Sequence, residues 1–133
     1  MQKKIGFRVL VIGGGRWGQI TYNNLSSLAS ISELNLISRT LNINNSILNN
    51  KNITIKRNIN LKELKKYHLI VICKNNISKF KYFKKIKHLE SLIVIEKPLI
   101  IKENLRKFLL YFKKGKFFVS LPWFFEKKIK RIF

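Results

Sequence analysis

Three glycines at a fixed spacing constrain this chain more than any other feature. Phe7-Arg8-Val9-Leu10-Val11-Ile12 is a short, almost continuous apolar run that stops at Gly13-Gly14-Gly15, and Gly18 follows. A run of that kind closed by a glycine turn is the pattern of a strand buried in a parallel sheet. From Arg16 to Leu28, the apolar residues Trp17, Ile20, Leu25 and Leu28 fall close to one face of a helix. Strand, Gly13-x-Gly15-x-x-Gly18 and helix in that order form the fingerprint of a turn that cradles a dinucleotide pyrophosphate. The first glycine permits the tight turn, the second lets the backbone approach the pyrophosphate, and the third lets the helix pack closely on the sheet. The helix N-terminus adds free N–H groups and a partial positive charge. Gly13, Gly15 and Gly18, with Arg16 and Trp17 between the last two glycines, are therefore the expected cofactor-binding residues.

The rest of the chain continues the alternation. Strands are expected at 33–38, 53–55, 68–73, 92–95 and 117–121. Asn60 caps a small helix, with Glu63 as its reciprocal partner. Ile77, Phe80, Phe83 and Ile86 mark a lysine-coated helix, and Ile101, Leu105, Phe108, Leu109 and Phe112 mark another that ends at Gly115. Residues 40–52 are rich in asparagine and are expected to be mostly loop. Strands alternating with helices predict an α/β fold, a doubly wound parallel sheet of the Rossmann type. Residues 1–121 form the expected dinucleotide-binding domain. The basic and apolar tail 122–133 reads as the start of a second domain.

The residue ending the second strand in such folds meets the adenosine ribose, and an acid there favours NAD. This chain has Ser38-Arg39-Thr40 at that point. An arginine can pair with a 2′-phosphate and stack on adenine, so Ser38 and Arg39 predict NADP, with NAD as the alternative.

The formal net charge is +22, with 28 Lys and Arg against 6 acidic residues. Such a charge fits a polyanionic partner, nucleic acid above all. It also fits an A/T-rich genome, because lysine, asparagine and isoleucine are frequent together while aspartate does not occur. The asparagine and isoleucine excess does nothing for a polyanion, and the lysines are spread along the chain. Nonspecific, salt-sensitive nucleic-acid binding follows from the charge in either case. No apolar run approaches the roughly 18 residues of a membrane span, no secretory signal is evident, and Cys73 has no second cysteine to pair with. A cytoplasmic protein is expected. No metal-ligand cluster is read from the sequence.

Val9 to Gly18, the stretch Ile70–Asn76 and Glu96-Lys97-Pro98-Leu99 together resemble the N-terminal domain of the glucose–fructose oxidoreductase/inositol dehydrogenase (Gfo/Idh/MocA) family. The likeness covers about residues 7–121, and Glu-Lys-Pro closing a strand at this distance from the glycine turn is its most specific part. The resemblance implies that Glu96 and Lys97 lie at the cofactor, with Lys97 near the nicotinamide and the substrate as a proton-transfer residue. It implies that Pro98 shapes the backbone there. The segment after the fourth strand usually reads like Thr-Pro-Asn-x-x-His. Here it is Lys74-Asn75-Asn76-Ile77-Ser78-Lys79, which keeps Asn76 as a cofactor contact and replaces the threonine, proline and histidine. Family members also carry an α+β substrate domain, which supplies most substrate contacts and commonly a catalytic histidine. No such sequence is found in these 133 residues. His68 and His88 are read as structural or solvated, and Cys73 as a small core residue.

Three functional readings are open at this point. The first is an NAD(P)-dependent oxidoreductase, or its cofactor-binding part, moving a hydride between nicotinamide and a small carbonyl, imine or alcohol. A partner chain or a second copy would complete its site. The second is a truncated, inactive cofactor-binding remnant. The third is a basic nucleic-acid-binding module on a Rossmann scaffold. Fold alone does not choose among them.

Overall fold

The structure, a computed structural model, describes residues 6–38, 53–56, 60–74, 82, 85, 86, 88–97 and 117–120. In chain order these give β1 (Phe7–Ile12), α1 (Arg16–Ser26), β2 (Ile31–Ile37), β3 (Ile53–Lys56), α2 (Leu61–Leu64), β4 (Leu69–Ile72), β5 (Leu92–Glu96) and β6 (Phe117–Ser120). The six strands form one sheet in the order β3-β2-β1-β4-β5-β6, and every neighbouring pair is parallel. The fold is the expected α/β parallel sheet of the Rossmann type. The expected helices over 77–86 and 101–112, Gly115, and the tail 122–133 lie wholly or mostly outside the described residues.

Strand alternation divides the core in two. Leu10, Ile12, Ile37, Ile70, Ile72, Ile93 and Ile95 pack on one face with Leu64, Tyr67, Ile86 and Leu89. Val9, Val11, Leu34, Leu36 and Val71 pack on the other with Tyr22 of α1. Side chains of successive strand residues point to opposite faces, so a sheet covered on both sides needs apolar residues at consecutive positions. That is why β1 reads as an almost continuous apolar run and β4 as an unbroken one.

The expected apolar face of α1 is not the face it buries. Trp17 is 55% exposed and Leu28 50%, and Ile20 is also exposed; the buried residues are Gly18 and Tyr22, with Leu25 partly buried against the core. Contact at Gly18 sets the rotation of the helix. Positions four and seven residues on then follow it inward, and these are Tyr22 and Leu25. Burial pushes the Tyr22 phenol up to about 12, so it stays neutral across the physiological range.

β2 begins at Ile31, two residues before the expected start at Glu33, because Ile31 pairs with Phe7 across an irregularity in the ladder. Asn35, in the middle of β2, is buried. Its side-chain N–H₂ donates to Tyr67 Oη at 2.7 Å and to Glu33 Oε1 at 2.7 Å, and Lys66 completes the cluster by an ion pair with Glu33. Ser91 Oγ donates to the Tyr67 carbonyl at 2.6 Å. Burial raises the Glu33 pKa, but the hydrogen bonds from Lys66 and Asn35 and the charges of Lys66 and Arg8 outweigh it and hold the carboxyl below its ordinary value. Its bond to Glu33 raises Lys66. Asn60 caps α2 as expected, its side chain accepting from the Lys62 N–H at 3.1 Å. Among the described residues no helix is long and apolar enough to cross a membrane.

Candidate functional site

Parallel pairing brings the C-terminal ends of the central strands to one edge of the sheet. Ile12 stands beside Ile37 on one side and Ile72 on the other, and Ile72 stands beside Ile95. The residues that follow are therefore neighbours: Gly13 after β1, Ser38 after β2, Cys73 and Lys74 after β4, and Lys97 after Glu96 at the end of β5. The Gly13 N–H donates to the Ile37 carbonyl at 2.9 Å, and the Cys73 N–H donates to the Ile12 carbonyl at 2.8 Å. The chain leaves β1 for β2 on one side and reaches β4 on the other. Between β1 and β4 the strand order thus reverses, which is where an open parallel sheet forms a crevice for a ligand.

The three motif glycines have three different reasons to be glycine. Gly13 has φ +118°, a backbone conformation that other residues avoid, and an added Cβ would lie 2.8 Å from the Cys73 carbonyl carbon. At Gly18 an added Cβ would overlap the Gly13 carbonyl oxygen and come 2.8 Å from its carbon, so only glycine lets α1 lie this close to the turn. Among the described residues an added Cβ at Gly15 meets nothing within 4 Å, and φ −71°, ψ −179° is ordinary extended backbone. Packing among the described residues therefore gives no steric reason for glycine there, whereas a ligand lying on the turn would. This is the observation by which the site fits a dinucleotide.

Gly15 is also the N-cap of α1. Gly15 has no side chain with which to cap the helix and the first turn holds no acidic residue, so the N–H groups and the positive end of the helix dipole suit an anion. Arg16 and Trp17 are both exposed at this end. Ser38 is buried beside Gly14, where an added Cβ would meet the Ser38 Cβ at 2.5 Å. Glu96 is buried and Lys97 half-buried at the end of β5. Cys73 is half-buried, packed on the α1 side of the core, with its thiol 3.7 Å from Thr21 Oγ1. Arg39, Asn76 and Pro98 lie outside the described residues. His68 is at the opposite end of the sheet, where its Nδ1 accepts from the Arg8 N–H at 3.0 Å, and His88 is exposed. Among the described residues no three His, Cys, Asp or Glu side chains gather as metal ligands.

Two residues at the turn escaped the sequence reading. Gly14 is the unspecified position of the motif, yet Ser38 occupies the space a side chain would need. Gln19 Nε2 donates to the Gly14 carbonyl at 2.9 Å. The signal for Gln19 was its place one turn into the helix, and it carries no meaning until the loop path is known.

Sheet order and glycine turn define a Rossmann-like α/β fold. Solved structures of that class superpose on the chain. A Sinorhizobium meliloti protein assigned as a myo-inositol dehydrogenase matches with a TM-score of 0.73 at 16% identity, over 91% of this chain and 38% of that one. GenD2 from gentamicin A biosynthesis, in complex with NAD, matches with a TM-score of 0.70 at 13% identity, over 86% and 34%. Biliverdin reductase from Synechocystis sp. PCC 6803, in complex with biliverdin and NADP+, matches with a TM-score of 0.66 at 17% identity, over 89% and 37%. At these identities the likeness is one of fold, and the chain spans little more than a third of each neighbour's length. No protein-family model and no curated protein sequence matches the chain.

Proposed function

We propose that this chain is the cofactor-binding part of an NAD(P)-dependent oxidoreductase acting on a small carbonyl, imine or alcohol. The observation that carries this reading is Gly15: a glycine that no contact among the described residues requires, at the start of a helix, where the strand order reverses. The crystallised neighbours in complex with NAD and NADP+ support it. A nicotinamide dinucleotide, when bound, supplies or accepts the hydride. The turn Gly13–Gly18 and the N–H groups of α1 would hold its pyrophosphate, with Arg16 and Trp17 at the rim. Ser38 and Arg39 follow β2, where the adenosine ribose falls in this fold, and Arg39 would pair with a 2′-phosphate, which favours NADP. Asn76 comes after β4, Glu96 ends β5 and Lys97 follows it, and these complete the cofactor side. Lys97 would hydrogen-bond or protonate the substrate heteroatom.

Titration of NADPH and NADH into the unmutated chain and into Arg39→Ala tests this. NADPH should bind more tightly. Loss of a charge-assisted contact costs about 1.5–3 kcal/mol, so the substitution should weaken NADPH roughly tenfold or more and NADH far less. Equal affinity for both cofactors in the unmutated chain would refute the NADP assignment, and binding of neither would refute the whole reading.

A further inference from the structure

We propose that Gln19 is a positioning residue for the pyrophosphate turn: by holding the Gly14 carbonyl it aims the Gly15 N–H at the ligand. The inference rests on the reading of the turn as a dinucleotide site. A carbonyl oxygen only accepts, so the Gln19 amide must present its nitrogen to Gly14, as it does at 2.9 Å. The Gly14–Gly15 peptide is planar and its C=O and N–H point in opposite directions when trans. Fixing the carbonyl on the helix side therefore fixes the Gly15 N–H on the other. The turn needs such a restraint, because Gly13-Gly14-Gly15 has no side chain of its own to hold it and glycine is the residue with most conformational freedom to lose.

A second contact acts on the same peptide. Ser38 is buried against Gly14, filling the space a Cβ there would take. Gly14 is thus bounded by Ser38 at its Cα and held by Gln19 at its carbonyl. Gln19 itself is anchored through its backbone, since its N–H donates to the Gly15 carbonyl at 3.0 Å. One residue accordingly holds the carbonyls of Gly14 and Gly15, the two peptides on either side of the glycine that faces the ligand. A donor aimed in advance saves the ligand the cost of ordering it on binding.

Gln19→Met keeps the length of the side chain and removes the donor. Gln19→Leu removes it with a different shape and repeats the measurement if the methionine variant does not fold. Two readouts are taken on the full chain: the NADPH dissociation constant, and the backbone amide resonance of Gly15 without ligand, with that of Gly6 at the far end of β1 as the control. The expected result is a three- to tenfold weaker NADPH affinity, about that of one neutral hydrogen bond, together with a displaced Gly15 resonance and an unmoved Gly6 resonance. Unchanged affinity would overturn the proposal. So would weaker affinity with Gly15 unmoved, because Gln19 would then act on the ligand directly. If the unmutated chain binds no dinucleotide, the functional reading fails. The Gly15 resonance then decides the proposal: unmoved in the variant, it shows that Gln19 does not hold the turn.

Discussion

Gly15→Val separates what the turn does for the fold from what it does for a ligand. Two small effects on stability oppose one another. Replacing a glycine at a compatible backbone position stabilises by about 0.4–1 kcal/mol, because the unfolded chain loses freedom. An aliphatic N-cap is worse than glycine by roughly 0.5–1 kcal/mol. With φ −71°, ψ −179° and no described residue within 4 Å of an added Cβ, neither strain nor overlap adds to these. The net change should lie within about 0.5 kcal/mol. Binding should respond quite differently. A branched side chain would keep the pyrophosphate off the turn, and losing two charge-assisted hydrogen bonds at about 1.5–3 kcal/mol each raises Kd by roughly a hundredfold or more. The assay is urea denaturation of both proteins beside a fluorescence titration with NADPH. A valine variant that binds within a few-fold of the unmutated chain would show that the cofactor does not use this turn. A large loss of stability would show that Gly15 has a packing role missing from the geometry.

Three further outcomes are expected. Gly18→Ala should destabilise the fold where Gly15→Val does not, since the new methyl group would overlap the Gly13 carbonyl; overpacking of this kind costs about 1–3 kcal/mol, visible as a lowered urea midpoint, and an unchanged midpoint would mean that α1 can back away freely. The Glu33–Lys66 pair is about a third exposed and should contribute no more than about 0.2–1 kcal/mol. Because the folded Glu33 pKa is lowered, that contribution is present above its ordinary value of 4.5 and lost as pH falls through the folded value; Lys66, raised in the fold, loses its share only as pH rises past 10.5. The stability difference between the unmutated chain and Glu33→Gln should accordingly shrink on acidification to about pH 3, and a difference that grew would contradict the assignment. Finally, the charge of +22 should give nucleic-acid binding that is nonspecific and collapses between low and physiological salt; a footprint on one sequence that survives physiological salt would promote a nucleic-acid role over the oxidoreductase one.

Much of the architecture was legible because it depends on local pattern. Apolar runs bounded by turn residues located β1, β4 and β5. A capping asparagine located α2, and the glycine spacing located the turn, since strand, turn and helix are consecutive between Phe7 and Ser26. The choice of glycine at position 13 is of this kind as well: a positive φ is a property of one residue's backbone. Contacts between residues far apart in sequence were not legible in that way. The face that α1 buries is decided by how closely Gly18 approaches Gly13, so Tyr22 turned inward and Trp17 and Ile20 outward, against the apolar stripe. The partner of the buried Asn35, Tyr67, lies 32 positions later. Gly14 and Ser38 come together only when β2 is laid beside β1, and Gln19 finds a carbonyl only when the turn folds back over the helix. The sequence by itself determined which segments form strands and where the chain turns, because short-range sterics and hydrophobic period suffice for that. Which side chains meet at the turn was left to the tertiary structure, because burial and hydrogen bonding depend on what the sheet brings alongside.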